Sequence, residues 1–233
     1  MAKQLFYLHA LKGRAPQLMD AALAIASSSF FERYPLHAAV MTPRLNDPLA
    51  IPARSPFLVG LDVILEVVAP GGVSLESCER GVSALLSPLM ALVDRESSRV
   101  ASGYHRCFQE SGRKPLRYHY LMVRRQDFSQ ADYLDYYVHS HSRFGVATPL
   151  ADYYQNYIDA RAGARLAEVL GLNPLVADSI SELRFLRLED YLSSDVIAEI
   201  GPAASVDEER FVDRAASQSF TMEVVQDTRE YNL

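Results

Sequence analysis

Apolar residues along the chain fall into short strand-like runs separated by longer stretches of helical period, and the order in which they come repeats. In the first half LFYLHAL (Leu5 to Leu11) reads as a strand, PQLMDAALAIASSSFF as a helix and LHAAVMT (Leu36 to Thr42) as a second strand. The next stretch carries Pro43, Pro48, Pro52 and Pro56 and is expected to be irregular. LVGLDVILEVV then reads as a strand, SLESCERGVSALLSPLMALV as a helix bent or split at Pro88, and SRVASGYHRCF as a closing strand.

The second half runs the same way. RYHYLMV (Arg117 to Val123) is a strand, a helix comes next, and ADYYQNYID is the returning strand. GARLAEVLGL is a short extra helix, SISELRFLRL a third strand, Glu189 through Asp213 a set of helical pieces broken at Gly201-Pro202, and SFTMEVVQ a fourth strand. The order βαββαβ is the ferredoxin-like arrangement. Two copies in one chain predict an α+β fold with repeats over 1–110 and 115–233, joined at the GRKPL stretch near Gly112 and packed sheet on sheet.

The helix of the second repeat holds the most informative residues, in QDFSQADYLDYYVHSHSRFG (Gln126 to Gly145). Ser129 fits an N-cap with Asp132 three residues on, Phe128 and Tyr133 can staple across the cap, and Gly145 stands where a stop is expected. Leu134, Tyr137, Val138 and His141 recur at i, i+3, i+4 and i+7, which puts His141 on the buried stripe. His139 projects about 200° away, so the two imidazoles cannot share a metal ion within the chain.

Composition narrows the function. Half of the 233 residues are hydrophobic, enough for a core without covalent staples. A net charge of −6 argues against a nucleic-acid partner or an anionic membrane surface. No run approaches the length of a membrane helix, and MAKQLFYLHALKGR reads as a strand rather than a leader. Cys78 and Cys107 stand apart without metal-ligand spacing, as expected of small apolar residues in a reducing cytoplasm. The glycines at PGGVS and GRKPL lack phosphate-cradle spacing, and no GxSxG elbow is present. Six histidines raise the question of haem, but no spacing selects an axial ligand. What remains is acid–base chemistry by histidine and tyrosine, without metal or cofactor.

Strand alternation sorts the candidates. Tyr118, Tyr120 and Met122 share one face of their strand, with His119 and Leu121 opposite; Tyr153, Gln155 and Tyr157 share a face, with Tyr154 and Asn156 opposite. Which faces line a pocket is left open by alternation alone. The chain's 13 tyrosines could stack an aromatic ring and hydrogen-bond a phenolic oxygen.

YHYLMVRR, the helix ending YYVHSH, DYYQNYI, DSISELRFLRLEDY and DEERFVD together resemble the EthD-domain family of the dimeric α+β barrel superfamily, over about half of the chain. The first half keeps the topology but has SSFFERYPLHAAV where a histidine-bearing helix end would stand. The resemblance implies that the two repeats close one intrachain α+β barrel with helices outside and the pocket inside. It matches His141, Tyr154, Gln155 and Asn156 to the family's positions. The expected site has His141 as general acid or base, Tyr154, Tyr120 or Tyr118 stabilising a developing oxyanion, and Met122, Tyr137, Gln155 and Asn156 binding substrate. The expected activity is a cofactor-independent lyase or dehydratase acting on a small aromatic, phenolic compound. The alternatives are a carrier of a hydrophobic intermediate and a monooxygenase of the same superfamily. Since duplication already satisfies one sheet pairing, a monomer and a homodimer of barrels are both open.

Overall fold

The computed structural model describes residues 1–28, 30–31, 36–44, 49, 58–69 and 71–229. The first repeat consists of β1 (Ala2–Leu8), α1 (Ala15–Ala26), β2 (His37–Pro43), β3 (Val63–Val68), α2 (Leu75–Leu86) and β4 (Arg99–Gln109). The second begins with β5 (Leu116–Met122) and α3 (Gln130–Tyr136), which continues through a π turn (Tyr137–His141) into α4 (Ser142–Val146). Then come β6 (Ala151–Ile158), α5 (Ala160–Leu170), β7 (Asn173–Pro174), β8 (Ser179–Phe185), α6 (Leu188–Leu192), α7 (Asp195–Glu208) and β9 (Gln218–Asp227). Most of the proline-rich stretch expected to be irregular, residues 45–48 and 50–57, lies outside the described residues.

Each repeat forms a four-stranded antiparallel sheet of the ferredoxin-like order: β4-β1-β3-β2 in the first and β9-β5-β8-β6 in the second. β2 pairs with β9 and β4 with β6, both antiparallel, so the two sheets close into one eight-stranded barrel within the chain. Closure leaves no open edge in the ring, the usual liability of an isolated sheet. The two-residue β7 adds in parallel to the outside of β4.

Of two expected helix breaks, one forms and the other does not. Pro88 does end α2, and a 3₁₀ turn carries the chain on through Ala91. Gly201-Pro202, by contrast, does not break a helix: α7 runs through both, and the interruption falls at Ser193-Ser194. α7 is exposed along most of its length, where water can meet the carbonyl that proline leaves without an N–H. The extra helix α5 belongs spatially to the first repeat, packing on β4 and α2 with Leu166 and Leu170 in the core beside Leu18, Val82 and Leu86.

Most of the barrel interior is packed, and the space left along it lies at the charged end, where a cavity of about 560 Å³ is lined by His105, Tyr154 and Arg229. One end is plugged by Leu5, Tyr7, Met41, Ile64, Leu121, Ile180, Phe220 and Met222. The other is packed with ion pairs: Lys3 lies 2.6 Å from Glu66 and 2.5 Å from Glu182, Arg117 lies 2.9 Å from Glu66 and 2.6 Å from Asp227, and Arg184 lies 2.7 Å from Glu182. Buried charges are tolerated only when paired in this way. A second open space lies outside the barrel, between the second sheet and its helices α4 and α7. Among the described residues no helix is long and apolar enough to cross a membrane.

Candidate active site

α3 starts as its cap sequence dictates, with the Ser129 side chain accepting from the Asp132 N–H at 3.1 Å. Seven residues on, the backbone widens: the Ser142 N–H donates to the Tyr137 carbonyl five residues back, the bond that defines a π turn. Because of that turn, the buried line of the helix is Tyr133, Tyr137 and His141 rather than one centred on Leu134 and Val138, which are only half-buried. His141 is buried as expected, and the His139 side chain is 70% exposed beside Asp135. Gly145 is not a stop. It sits inside α4 because the Tyr153 ring stands where a Cβ would go.

His141 Nδ1 lies 2.9 Å from Asp207 Oδ2, near the end of α7, and the other oxygen of that carboxylate accepts from the Tyr136 hydroxyl at 2.8 Å. A carboxylate at Nδ1 places the ring proton there and leaves the Nε2 lone pair available. Nε2 lies 3.9 Å from Glu208 Oε1, beyond hydrogen-bonding reach. Burial lowers the His141 pKa from its ordinary 6.5, with Asp207 pulling the other way. Burial also works against charge on Asp207, but the hydrogen bonds from His141 and Tyr136 hold its carboxyl below the usual range. Glu208 goes the opposite way: burial pushes it up to about 7, opposed by Arg214 and reinforced by Asp207. At neutral pH the cavity therefore holds an imidazole whose pKa is lowered beside a carboxyl that is only partly ionised, a split of environments of the kind that separates acid from base roles.

These groups face a cavity of about 270 Å³, walled by Tyr118, Tyr120, Tyr153 and Leu183 from the sheet and by Phe144, Ile197, Ile200 and Ala204 from the helices. A cavity of about 150 Å³ holds benzene, so this one accommodates a ligand of roughly two rings. Burial raises the Tyr120 hydroxyl to about 12, which keeps it a neutral hydrogen-bond donor at working pH. Arg214 supplies a cation at the edge of the same space, beside Glu208 and Tyr120.

The structure brings together His141, Tyr120 and Tyr118 from the expected set, and separates the rest. Tyr154 and Asn156 point into the barrel, because successive residues of β6 face opposite sides of the sheet. There Tyr154 donates to Glu110 and carries the Arg184 guanidinium 3.7 Å above its ring, while Asn156 bonds Glu182 and the Ile180 carbonyl. Tyr154 therefore cannot assist His141 from across the barrel wall. Met122 and Tyr137 lie on the correct side but are sealed in the aromatic cluster with Tyr133 and Phe211. Gln155 is fully buried, with its amide already bonded to Tyr137, Tyr153 and Tyr157, so it has no free donor for a substrate.

Sequence reasoning passed over Asp207, Glu208, Tyr153 and Arg214. Asp207 and Glu208 lie in the DEERFVD stretch, which marks the resemblance but carries no chemical role in the sequence reading. Only folding shows that the first two turn inward toward His141, while Glu209 pairs with Arg214 on the surface. Among the described residues no group of three His, Cys, Asp or Glu is placed to hold a metal ion. Haem does not fit this cavity: a tetrapyrrole is several times the size of benzene, and the Glu208 carboxyl stands 3.9 Å from His141 Nε2.

No family model and no curated protein matches the sequence. Solved structures do match the fold. An anthrone oxidase-like protein aligns at a TM-score of 0.59 and 13% identity over 97% of this chain and 91% of its own. A candidate monooxygenase from Lactobacillus acidophilus NCFM aligns at 0.57 and 7% identity over 97% and 94%. A chlorite dismutase from Candidatus Nitrospira defluvii aligns at 0.55 and 10% identity over 97% and 91%. The chain thus shares with these structures an α+β barrel fold, with one polypeptide supplying both halves of the barrel.

Proposed function

We propose that this chain is an EthD-like, cofactor-independent enzyme that performs acid–base chemistry on a small aromatic, phenolic compound, as a lyase or dehydratase. The observation that carries the reading is the His141–Asp207 pair set against a Glu208 carboxyl titrating near 7, in a cavity walled by tyrosines. In a dehydration, His141 Nε2 takes the proton from carbon while the protonated Glu208 delivers one to the departing hydroxyl, and water leaves with no net redox change. Tyr120, with Tyr118 beside it, donates to oxygen where charge develops. General acid–base assistance contributes about 10²–10⁴-fold, and the remaining acceleration comes from holding the ring against the tyrosine wall.

A monooxygenase is the second reading, favoured by the descriptions of two structural neighbours. It shares the first step, deprotonation of an activated phenol or carbon acid, and differs in the fate of the resulting anion, which reacts with dioxygen instead of expelling a leaving group. Turnover of hydroxylated one- to three-ring aromatics, monitored with an oxygen electrode and by product mass, separates the two. Loss of water or cleavage without oxygen uptake supports the lyase. Oxygen uptake with incorporation into product replaces it by the monooxygenase. Saturable binding with no turnover of any member would point to a carrier.

A further inference from the structure

The π turn that carries His141 is a rare backbone form, found mostly as single turns inside α-helices and often at functional sites. Its effect here is geometric. At about 100° per residue, an uninterrupted α-helix would carry His141 about 80° around the axis from Tyr133 over eight residues. The wider turn absorbs that drift, so the rings of Tyr133, Tyr137 and His141 succeed one another at 6.1 Å spacings down one buried face. In an unbroken helix the imidazole would swing away from Asp207.

One side chain outside the helix grips this turn. The Tyr137 carbonyl, already bonded to the Ser142 N–H, accepts a second hydrogen bond from Gln155 Nε2 at 3.0 Å. The same nitrogen lies 2.6 Å from the Tyr153 hydroxyl, and Oε1 accepts from the Tyr157 hydroxyl at 2.7 Å. The carbonyl partner settles which way round the amide sits, since only its NH₂ end can face another acceptor. Gln155 lies in β6, which is paired on both edges by β4 and β8 and so makes a rigid mount.

We infer that Gln155 is the positioning residue of the proposed site: by holding the Tyr137 carbonyl it maintains the π turn, and so keeps His141 Nδ1 on Asp207 with Nε2 turned to the cavity. The kinetic consequence rests on the acid–base reading of the site; the conformational one does not. The test tracks the His141 imidazole by NMR titration, its signals identified by their loss in His141→Ala, alongside steady-state kinetics. Gln155→Met keeps the side-chain length but removes the donor. The His141 titration is then expected to move from its wild-type position as the ring leaves both the Asp207 carboxylate and its buried seat, and kcat to fall about 100-fold with KM changed less than about 3-fold. Tyr157→Phe removes a different bond of the same amide and is expected to leave the titration unaltered and kcat within about 3-fold of wild type. An unchanged His141 titration in folded Gln155→Met, or an equal disturbance from Tyr157→Phe, overturns the inference. If the titration moves while turnover stays at the wild-type rate, the positioning role stands and the acid–base reading fails. Should Gln155→Met not fold, Gln155→Leu, which has no donor in either protonation state, carries the same measurements. Failure of both to fold makes Gln155 a structural residue and ends the proposal.

Discussion

Replacing Glu208 with glutamine should make the protein more stable at pH 8 and leave its stability unchanged at pH 4. The carboxyl is pushed from an ordinary 4.5 up to about 7 by burial at the end of α7, the helix that roofs the cavity. A group whose folded pKa is raised binds its proton more tightly in the native state. Its contribution is therefore fully present below the unfolded pKa near 4.5 and is lost as pH rises through about 7. At about 1.4 kcal/mol per pH unit, the loss amounts to about 3 kcal/mol once Glu208 is ionised. Arg214, half-exposed nearby, already offsets part of the cost and is included in that figure. A glutamine of the same shape never ionises and never incurs it. For a chain of this size about 3 kcal/mol corresponds to a rise in Tm of about 6–12 °C. Thermal or urea unfolding of wild type and Glu208→Gln across pH 4 to 8 isolates the residue, because every other titrating group is common to both. The gain should grow through the interval from 4.5 to 7 and level off above it, while turnover falls by about two orders of magnitude as the acid is removed. Equal melting temperatures at pH 8, or the same gain at pH 4 as at pH 8, would refute a buried carboxyl poised near neutrality.

His141→Ala is expected to lower kcat by about 10²–10⁴-fold with folding intact, and His139→Ala to alter neither rate nor stability; equal kinetic effects would place the site elsewhere. Asp207→Asn keeps the shape but loses the carboxylate that orients the imidazole, so kcat should fall and the limb of the pH–rate profile assigned to His141 should move, read by kinetics from pH 5 to 8. Tyr154→Phe should leave turnover within about 2-fold, because that hydroxyl is spent on Glu110 inside the barrel; a loss comparable to His141→Ala would contradict the placement. Gly145→Ala drives a methyl into the Tyr153 ring and should cost about 1–3 kcal/mol in urea unfolding, while raising KM as the ring is pushed into the cavity.

Local signals determined a good deal of this protein. Period-2 and period-3.6 patterns placed both sets of strands and helices, the repeated order implied two ferredoxin-like sheets, and the Ser129 cap set the start of the helix that bears His141. Facing residues also came through, because alternation along β5 and β6 groups Tyr118 with Tyr120 and separates Tyr153 from Tyr154 whatever the sheet later packs against. Alternation says nothing about what covers each face. That depended on Lys3, Glu66, Arg117, Glu182 and Arg184 meeting from four strands far apart in the chain, so that their paired charges pack part of the barrel interior while a tyrosine-walled space opens on the other face of the second sheet. Tertiary contact likewise decided the chemistry of the helix end. Asp207 and Glu208 are neighbours in sequence, yet the carboxyl of one is held below the usual range by His141 and Tyr136 while burial pushes the other up to about 7. Their pKa values are set by burial and by partners brought in by the fold, His141 among them from more than sixty residues away, which no local pattern encodes. The π turn belongs to the same class: the sequence from Ser129 to Gly145 reads as an ordinary helix, and its widening is visible only where Gln155, from another strand, meets the Tyr137 carbonyl.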